Sequence, residues 1–165
     1  MADTMNFAGQ GDCIPELGNS TLPVLSVLYV DDEPLLLNVC KMYLERRQDI
    51  FVSVASSVEN ALKLIETLSF DVIISDYQMP GTDGIGFLKI LNEKHCSIPF
   101  ILFTGRGREE VMTEAINNGA IYYIQKGGHL RSPFAELDNK VREASRRSLV
   151  GDTVKEDRIA EQSVL

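Results

Sequence analysis

The sequence predicts an α/β fold of the doubly wound kind, with five parallel strands alternating with five helices as a (βα)5 unit. Three observations carry that expectation. Short apolar runs bounded by turn residues alternate along the chain with segments whose apolar residues recur at helical spacing. Several of the runs are apolar throughout rather than at every second residue, which marks strands covered on both faces, as in parallel sheets. Finally, 165 residues at 44% hydrophobic and 24% charged content have the length and composition of one globular domain with tails.

Each element follows from local chemistry. Val24–Val30 reads as the first buried strand. Pro34 to Arg47 reads as a helix with proline in its first turn and Leu36, Val39, Cys40, Tyr43 and Leu44 on one face. Phe51–Ala55 is the second strand. Ser56 with Glu59 has the capping-box spacing, and Val58, Ala61, Leu62, Ile65 and Leu68 then form one stripe. Val72–Ser75 is the third strand, and Met79-Pro80 with Asp83-Gly84 supplies the turn chemistry that opens a helix over Gly84–Lys94. Phe100–Phe103 is the fourth strand, followed by a helix over Glu109–Asn118 that Asn118-Gly119 closes. Ile121–Ile124 is the fifth. Ser132-Pro133 then caps a last helix with Phe134, Leu137, Val141 and Ala144 facing inward and Arg146-Arg147 near its C-terminal end. Right-handed crossovers leave few topologies for this alternation, and the flavodoxin-like strand order 2-1-3-4-5 is expected.

The flanks and the charge bound the function. Residues 1–22 are glycine-rich and aperiodic and are expected to be a flexible leader; 23–148 form the domain; 149–165 are a polar tail, either a frayed helix or the start of a linker. A net charge of -8 and a pI near 4.8 argue against non-specific nucleic-acid binding, which needs clustered Lys and Arg. Cys13, Cys40 and Cys96 have neither disulfide-framework nor metal-ligand spacing, which suggests a reducing compartment. The longest apolar run falls far short of the ~20 residues of a membrane span, and the N-terminus lacks the signal-peptide pattern. A soluble, cytoplasmic protein without a membrane partner is expected.

In doubly wound sheets the working groups gather at the carboxyl ends of the strands. Here the first strand ends in Asp31-Asp32-Glu33, the third in Asp76, the fourth in Thr104-Gly105 and the fifth in Lys126. Taken singly these are ordinary: Asp31-Asp32 could cap the helix at Pro34, and Asp76 could be a turn residue. Their convergence on one edge is not ordinary. Three aspartates raise one another's pKa unless a cation intervenes, and Mg²⁺, held by one or two carboxylates, waters and phosphate oxygens, suits such a cluster. Lys126 adds a mobile positive charge and Thr104 a hydroxyl, a set suited to a phosphoryl group. The balance of charge agrees: residues 1–22 carry -3 and 149–165 carry -2, so the domain keeps -3, the number of these aspartates.

At these residues the chain resembles the receiver domain of two-component response regulators. The likeness rests on Leu28-Tyr29-Val30-Asp31-Asp32-Glu33-Pro34, Asp76-Tyr77-Gln78-Met79-Pro80-Gly81-Thr82-Asp83-Gly84, Phe103-Thr104-Gly105 and Tyr123-Ile124-Gln125-Lys126, and it covers about residues 23–148. The segments Thr104–Glu110 and Gln125–Gly128 also resemble receiver modules of methanogenic archaea, often coupled to sensory kinases. The resemblance implies that Asp76 is the phosphoacceptor, supplied by a phosphohistidine on a sensor histidine kinase or phosphotransfer protein. It implies an acidic pair for Mg²⁺, with Asp32 the direct ligand, Asp31 acting through water, and the backbone carbonyl of Gln78 a further ligand beside Asp76. Lys126 would pair with the phosphoryl oxygens, and Thr104 would be the switch hydroxyl. Tyr123 would be the aromatic that changes rotamer, altering an α4-β5-α5 surface that a partner reads. The protein would be a monomer or a phosphorylation-dependent dimer.

Two departures stand out. The family usually has a cis proline after the lysine, where this chain has Gly127-Gly128. Gln78 and Arg106 occupy positions that tune acyl-phosphate hydrolysis in such domains. Arg106 and Arg108, in an acidic chain, read as solvated surface rather than a phosphate or nucleic-acid contact. Two other functions compete with the switch. A phosphohydrolase resembling the haloacid dehalogenase family would want an acidic residue two positions after its nucleophile, and Gln78 stands there. A phosphorylation-independent binding module on the same fold would have no need of intact Asp32, Asp76, Thr104 and Lys126. No turnover of an independent substrate is expected, only self-catalysed phosphotransfer and autodephosphorylation. Nothing after Ser148 is long enough for an output module, so output is expected through protein contacts or a domain outside this chain.

Overall fold

The apolar runs fold as β1 (Leu25–Val30), β2 (Ile50–Ala55), β3 (Val72–Ser75), β4 (Phe100–Thr104) and β5 (Tyr122–Gln125). All pair in parallel in the order β2-β1-β3-β4-β5, as expected, in a computed structural model that describes residues 24–105, 109–127 and 133–162. The helices between them are α1 (Pro34–Glu45), α2 (Val58–Thr67), α3 (Gly84–Glu93), α4 (Glu109–Asn117) and α5 (Pro133–Gln162).

Alternation along β1 sorts the helices onto two faces. Val27 and Tyr29 enter a core with Leu37, Cys40 and Leu44 of α1 and with Leu137, Val141 and Ala144 of α5. Leu28 and Val30 enter the opposite core with Ala61 of α2, Phe87, Leu88 and Leu91 of α3, and Val111 and Ala115 of α4. Because β1 and β3 are central and buried on both faces, their ends are held in place by packing from either side.

Several local expectations change. On α1 the buried positions are Leu37, Cys40 and Leu44, while Val39 is 39% exposed. Three consecutive leucines, Leu35 to Leu37, leave the phase of the stripe open, and packing selects the third. The α2 N-cap is Ser57, not Ser56: the Ser57 side chain accepts from the Asn60 N–H at 3.2 Å. Leu68, assigned to the α2 stripe, stands at its C-cap and is half exposed. The last helix does not end near Arg147 but continues to Gln162, with no proline in 148–162 to stop it, so Arg146 and Arg147 lie within it. Asn118-Gly119 does close α4, with Gly119 at φ 97° and the Ala120 N–H returning to the Ala115 carbonyl. The leader and the Ser132 cap lie outside the described residues.

Ion pairs clamp α5 to the C-cap of α1 and the turn that follows it. Arg142 Nη1 and Nη2 grip Asp49 at 2.5 and 3.0 Å, its Nε bonds Asp138 at 2.9 Å, and Arg46 reaches the same buried Asp138 at 2.8 Å.

The edge strand β2 is protected by α1. Glu45 accepts the Val52 N–H at 2.8 Å, Lys41 donates to the Val52 carbonyl at 2.5 Å, and the two side chains pair at 3.1 Å. Phe51 and Val54 beside them are exposed, so an uncapped edge would be a template for strand addition. The double variant K41A/E45A is expected to exchange the Val52 amide roughly tenfold faster. It should also self-associate more strongly with concentration than the parent protein in sedimentation runs.

Candidate functional site

Parallel pairing brings the ends of β1, β3, β4 and β5 to one edge, and the ladder carries one residue past each strand. The Asp31 N–H bonds the Ala55 carbonyl at 3.1 Å, the Asp76 N–H the Val30 carbonyl at 2.8 Å, and the Lys126 N–H the Thr104 carbonyl at 2.8 Å. Side chains from three distant parts of the sequence are thereby fixed by backbone bonds rather than by loops.

Lys126 joins them. Its Nζ lies 2.6 Å from Asp31 Oδ2 and 2.7 Å from Asp76 Oδ1, with only 13% of the side chain exposed. Burial alone would lower the Lys126 pKa, but its hydrogen bonds to both carboxylates hold it above the usual lysine value. Asp76 is raised as well, for the opposite reason. Burial raises its carboxyl above the usual range, the Lys126 ammonium opposes this, and Asp31 adds to the rise. Its second oxygen, Oδ2, accepts the Gln78 N–H at 2.7 Å. Asp31 is fully buried, with Oδ1 taking the Glu33 N–H at 2.9 Å.

These groups floor a cleft of about 370 Å³ lined by Asp32, Glu33, Asp76, Gln78, Thr104, Gly105 and Lys126. A second depression of about 470 Å³ adjoins it, sharing Asp32 and Gln78 and bounded by Tyr77, Met79, Pro80 and Asp83. Asp32 is exposed and makes no hydrogen bond or ion pair with other described residues. Among the described residues no three His, Cys, Asp or Glu side chains form a metal cage, and Lys126 Nζ pairs with both Asp31 and Asp76. What the cleft offers is hard oxygen: the Asp32 carboxylate, Asp76 and the Gln78 turn. That donor set fits Mg²⁺, which needs only one or two carboxylates and keeps its waters.

The sheet edge therefore gathers Asp31, Asp32, Asp76, Gln78, Thr104 and Lys126. Tyr123 is separate. It pairs with Leu102 in register and packs, half-buried, on the α2–α4 side, its hydroxyl buried without a hydrogen bond among the described residues. Arg106, Arg108 and Gly128 lie outside the described residues. Lys126–Gly127 is a trans peptide, so Lys126 reaches both carboxylates without a cis bond. The capping role for Asp31-Asp32 does not hold: Glu33 is the α1 N-cap and makes no side-chain cap bond.

Sequence reasoning missed two participants. Glu33 lines the cleft, and the Tyr29 hydroxyl donates to Asp31 Oδ2 at 2.5 Å. The signal for Tyr29 was its spacing, since residues two apart on a strand share a face. Cys40, fully buried beneath this cluster, has its thiol pushed up to about 12 by burial and by the Asp31 charge.

The raised Asp76 pKa has a sign. A carboxyl whose folded pKa exceeds its unfolded value favours the fold below the unfolded pKa, near 3.8, and loses that contribution as pH rises through the folded pKa. Asp76→Asn is therefore expected to raise Tm at pH 8, with the gain shrinking as pH falls through the raised Asp76 pKa toward 3.8, as followed by circular dichroism.

Comparison with known proteins gives the family. The response regulator receiver domain family matches residues 27–137. The chain is 34% identical over 102 residues to the nitrate/nitrite response regulator protein NarL of Escherichia coli K12, covering 61% of this chain and 47% of NarL. It thus spans about half the length of that relative. The Francisella response regulator 1452 receiver domain superposes with a TM-score of 0.68 at 31% identity, covering 75% of this chain and 98% of that one. A CheY-like receiver domain from Methanospirillum hungatei JF-1 gives a TM-score of 0.65 at 25% identity over 75% and 98% of the two chains. With its five parallel strands and the acidic edge they build, this chain belongs to the response regulator receiver domain family of two-component signalling.

Proposed function

We propose that the chain is a phosphorylation-controlled switch in which Asp76 takes a phosphoryl group from a phosphohistidine on a sensor histidine kinase or phosphotransfer protein. An Asp76 oxygen forms the new bond to phosphorus, the bond from phosphorus to the imidazole nitrogen breaks, and the imidazole keeps the electron pair. Mg²⁺, when bound, neutralises charge on the phosphoryl oxygens. Asp32, Asp76 and the Gln78 carbonyl are the groups that would hold it, with Asp31 beneath. Lys126 needs only a small shift to follow charge from Asp76 to the phosphoryl oxygens.

The observation that carries this reading is the arrangement at Asp76: a buried carboxylate facing an open cleft, already paired with Lys126, the one cation among the described residues placed there to receive added negative charge. Phosphorylation adds about -1.5 to -2 of charge there. Thr104, buried at the cleft, and Tyr123, on the same face of the sheet two residues behind it, are the groups through which the change reaches the α4-β5-α5 surface. The Tyr123 hydroxyl, buried without a hydrogen bond among the described residues, supports its mobility, because such an atom gains by finding a partner. No described helix is long and apolar enough to cross a membrane, and a cytoplasmic site, beside the kinase's catalytic part, goes with this reading.

The test uses the full chain with Mg²⁺ and acetyl phosphate. Intact mass should rise by one phosphoryl group in the parent protein and not in Asp76→Ala. An unlabelled parent protein would instead favour a phosphorylation-independent binding module, and sustained turnover of phosphomonoesters would favour a hydrolase.

A further inference from the structure

We propose that Tyr29 is a positioning residue of this site: its hydroxyl holds the buried Asp31 carboxylate and so loosens the grip of Asp31 on Lys126. The inference rests on the reading of Asp76 as phosphoacceptor and extends it to a group that the cleft does not expose.

The geometry is specific. Tyr29 is fully buried on β1, two residues before Asp31 and therefore on the same side of the strand. Its ring is held against Phe103, centroids 6.4 Å apart, and the Phe103 ring itself lies beneath the Lys126 ammonium at 5.7 Å. The Tyr29 hydroxyl donates to Asp31 Oδ2 at 2.5 Å, and that same oxygen takes Lys126 at 2.6 Å. Oδ1 is occupied by the Glu33 N–H. Asp31 thus has three donors, two of them on one oxygen, and only Lys126 is shared with Asp76.

That sharing gives the hydroxyl its use. When charge moves from the Asp76 carboxylate onto a phosphoryl group, Lys126 must follow it and give up some of Asp31. A buried carboxylate stripped of its cation is strongly disfavoured unless other donors remain. The Tyr29 hydroxyl is such a donor, fixed in advance by Phe103. With phenylalanine at 29 the ring and its packing persist, but Asp31 depends on Lys126 and the Glu33 amide alone. Lys126 is then held where it is.

The test compares Tyr29→Phe with the parent protein in two arms. In metal-free protein, the Lys126 ammonium followed by ¹⁵N NMR should exchange its protons several-fold more slowly in Tyr29→Phe. With saturating Mg²⁺ and acetyl phosphate, labelling of Asp76 should slow about tenfold, the size expected for one hydrogen bond to a charged group. Introducing 3-fluorotyrosine at position 29, an isosteric and stronger donor, should speed the same ammonium exchange, and it serves if Tyr29→Phe does not fold. Unchanged Lys126 exchange in both variants would overturn the proposal and leave Tyr29 a packing residue. A parent protein that takes no phosphoryl group would overturn the reading of Asp76, while the metal-free arm would still decide the link between Tyr29 and Lys126.

Discussion

Replacing Lys126 with methionine is expected to destabilise the fold by about 3 kcal/mol at pH 8, the typical result of removing one partner from a buried ion pair. Methionine keeps an apolar stem of similar length, so packing over the Phe103 ring is largely retained and the loss reports the charge. Without the ammonium, Asp31 keeps the Tyr29 and Glu33 donors, but among the described residues the Asp76 carboxylate keeps only the Gln78 amide, with the Asp31 charge nearby uncompensated. The Asp76 carboxyl, already raised by burial, should rise further, because the group that opposed the rise is gone. The sign of the pH dependence follows. Protonating Asp76 removes the repulsion, so the deficit of Lys126→Met should shrink as pH falls through the raised Asp76 pKa. Urea unfolding at pH 8 and at pH 4.5 measures both quantities. Labelling by acetyl phosphate should fall at least ~100-fold, the scale for losing a fixed charge aimed at developing negative charge. A variant as stable as the parent protein at both pH values would mean that the two short Lys126 contacts are not maintained in solution.

What the sequence made legible, and what it did not, divides along physical lines. Asp31, Asp76, Thr104 and Lys126 could be placed on one edge because each follows an apolar run, and parallel pairing then leaves their ends little freedom. The order β2-β1-β3-β4-β5 followed from the same alternation. The neutralisation of the aspartates was harder to foresee. Charge counting asks for a cation but does not distinguish a metal from a lysine, and the reach of Lys126 to Asp76 and Asp31, two and three strands away, depends on side-chain geometry that spacing does not carry. The phase of α1 was lost in a run of three leucines, and the α2 cap in a pair of serines, where neighbouring residues of one type give the pattern no contrast. Tyr29 was hidden by its chemistry: in an apolar strand its ring reads as core, which it is, and only the partner of its hydroxyl shows the second role.

Gly84→Ala is expected to cost about 3 kcal/mol in stability and to impair labelling of Asp76, whereas Gly86→Ala, two residues along the same helix, should be nearly neutral. The contrast comes from what each new methyl group would meet. A Cβ at Gly84 would overlap the Asp76 carbonyl oxygen, come within 3.1 Å of the Asp76 carbonyl carbon and lie 2.8 Å from Leu102 Cδ1. Backbone and a buried leucine cannot give way without moving β3 or β4. The close approach is what lets the Gly84 N–H reach the Tyr77 carbonyl at 2.9 Å, so that α3 starts directly against the turn carrying Asp76 and Gln78. At Gly86 the nearest atom is Thr82 Cγ2 at 2.9 Å, the end of a side chain that can rotate. There the better helix propensity of alanine, worth up to ~1 kcal/mol, offsets the adjustment. Asp83 Oδ1, which accepts from the backbone N–H of residue 86 at 2.7 Å, would lie 3.3 Å from the new methyl group, so the cap survives with an adjustment of a few tenths of an ångström. Urea unfolding of the two variants gives the stability difference, and acetyl phosphate labelling shows whether displacing the Asp76 carbonyl also displaces its carboxylate. Equal stability of the two variants would mean that α3 can shift away from β3 at little expense, and the tight seat of Asp76 would then need another explanation.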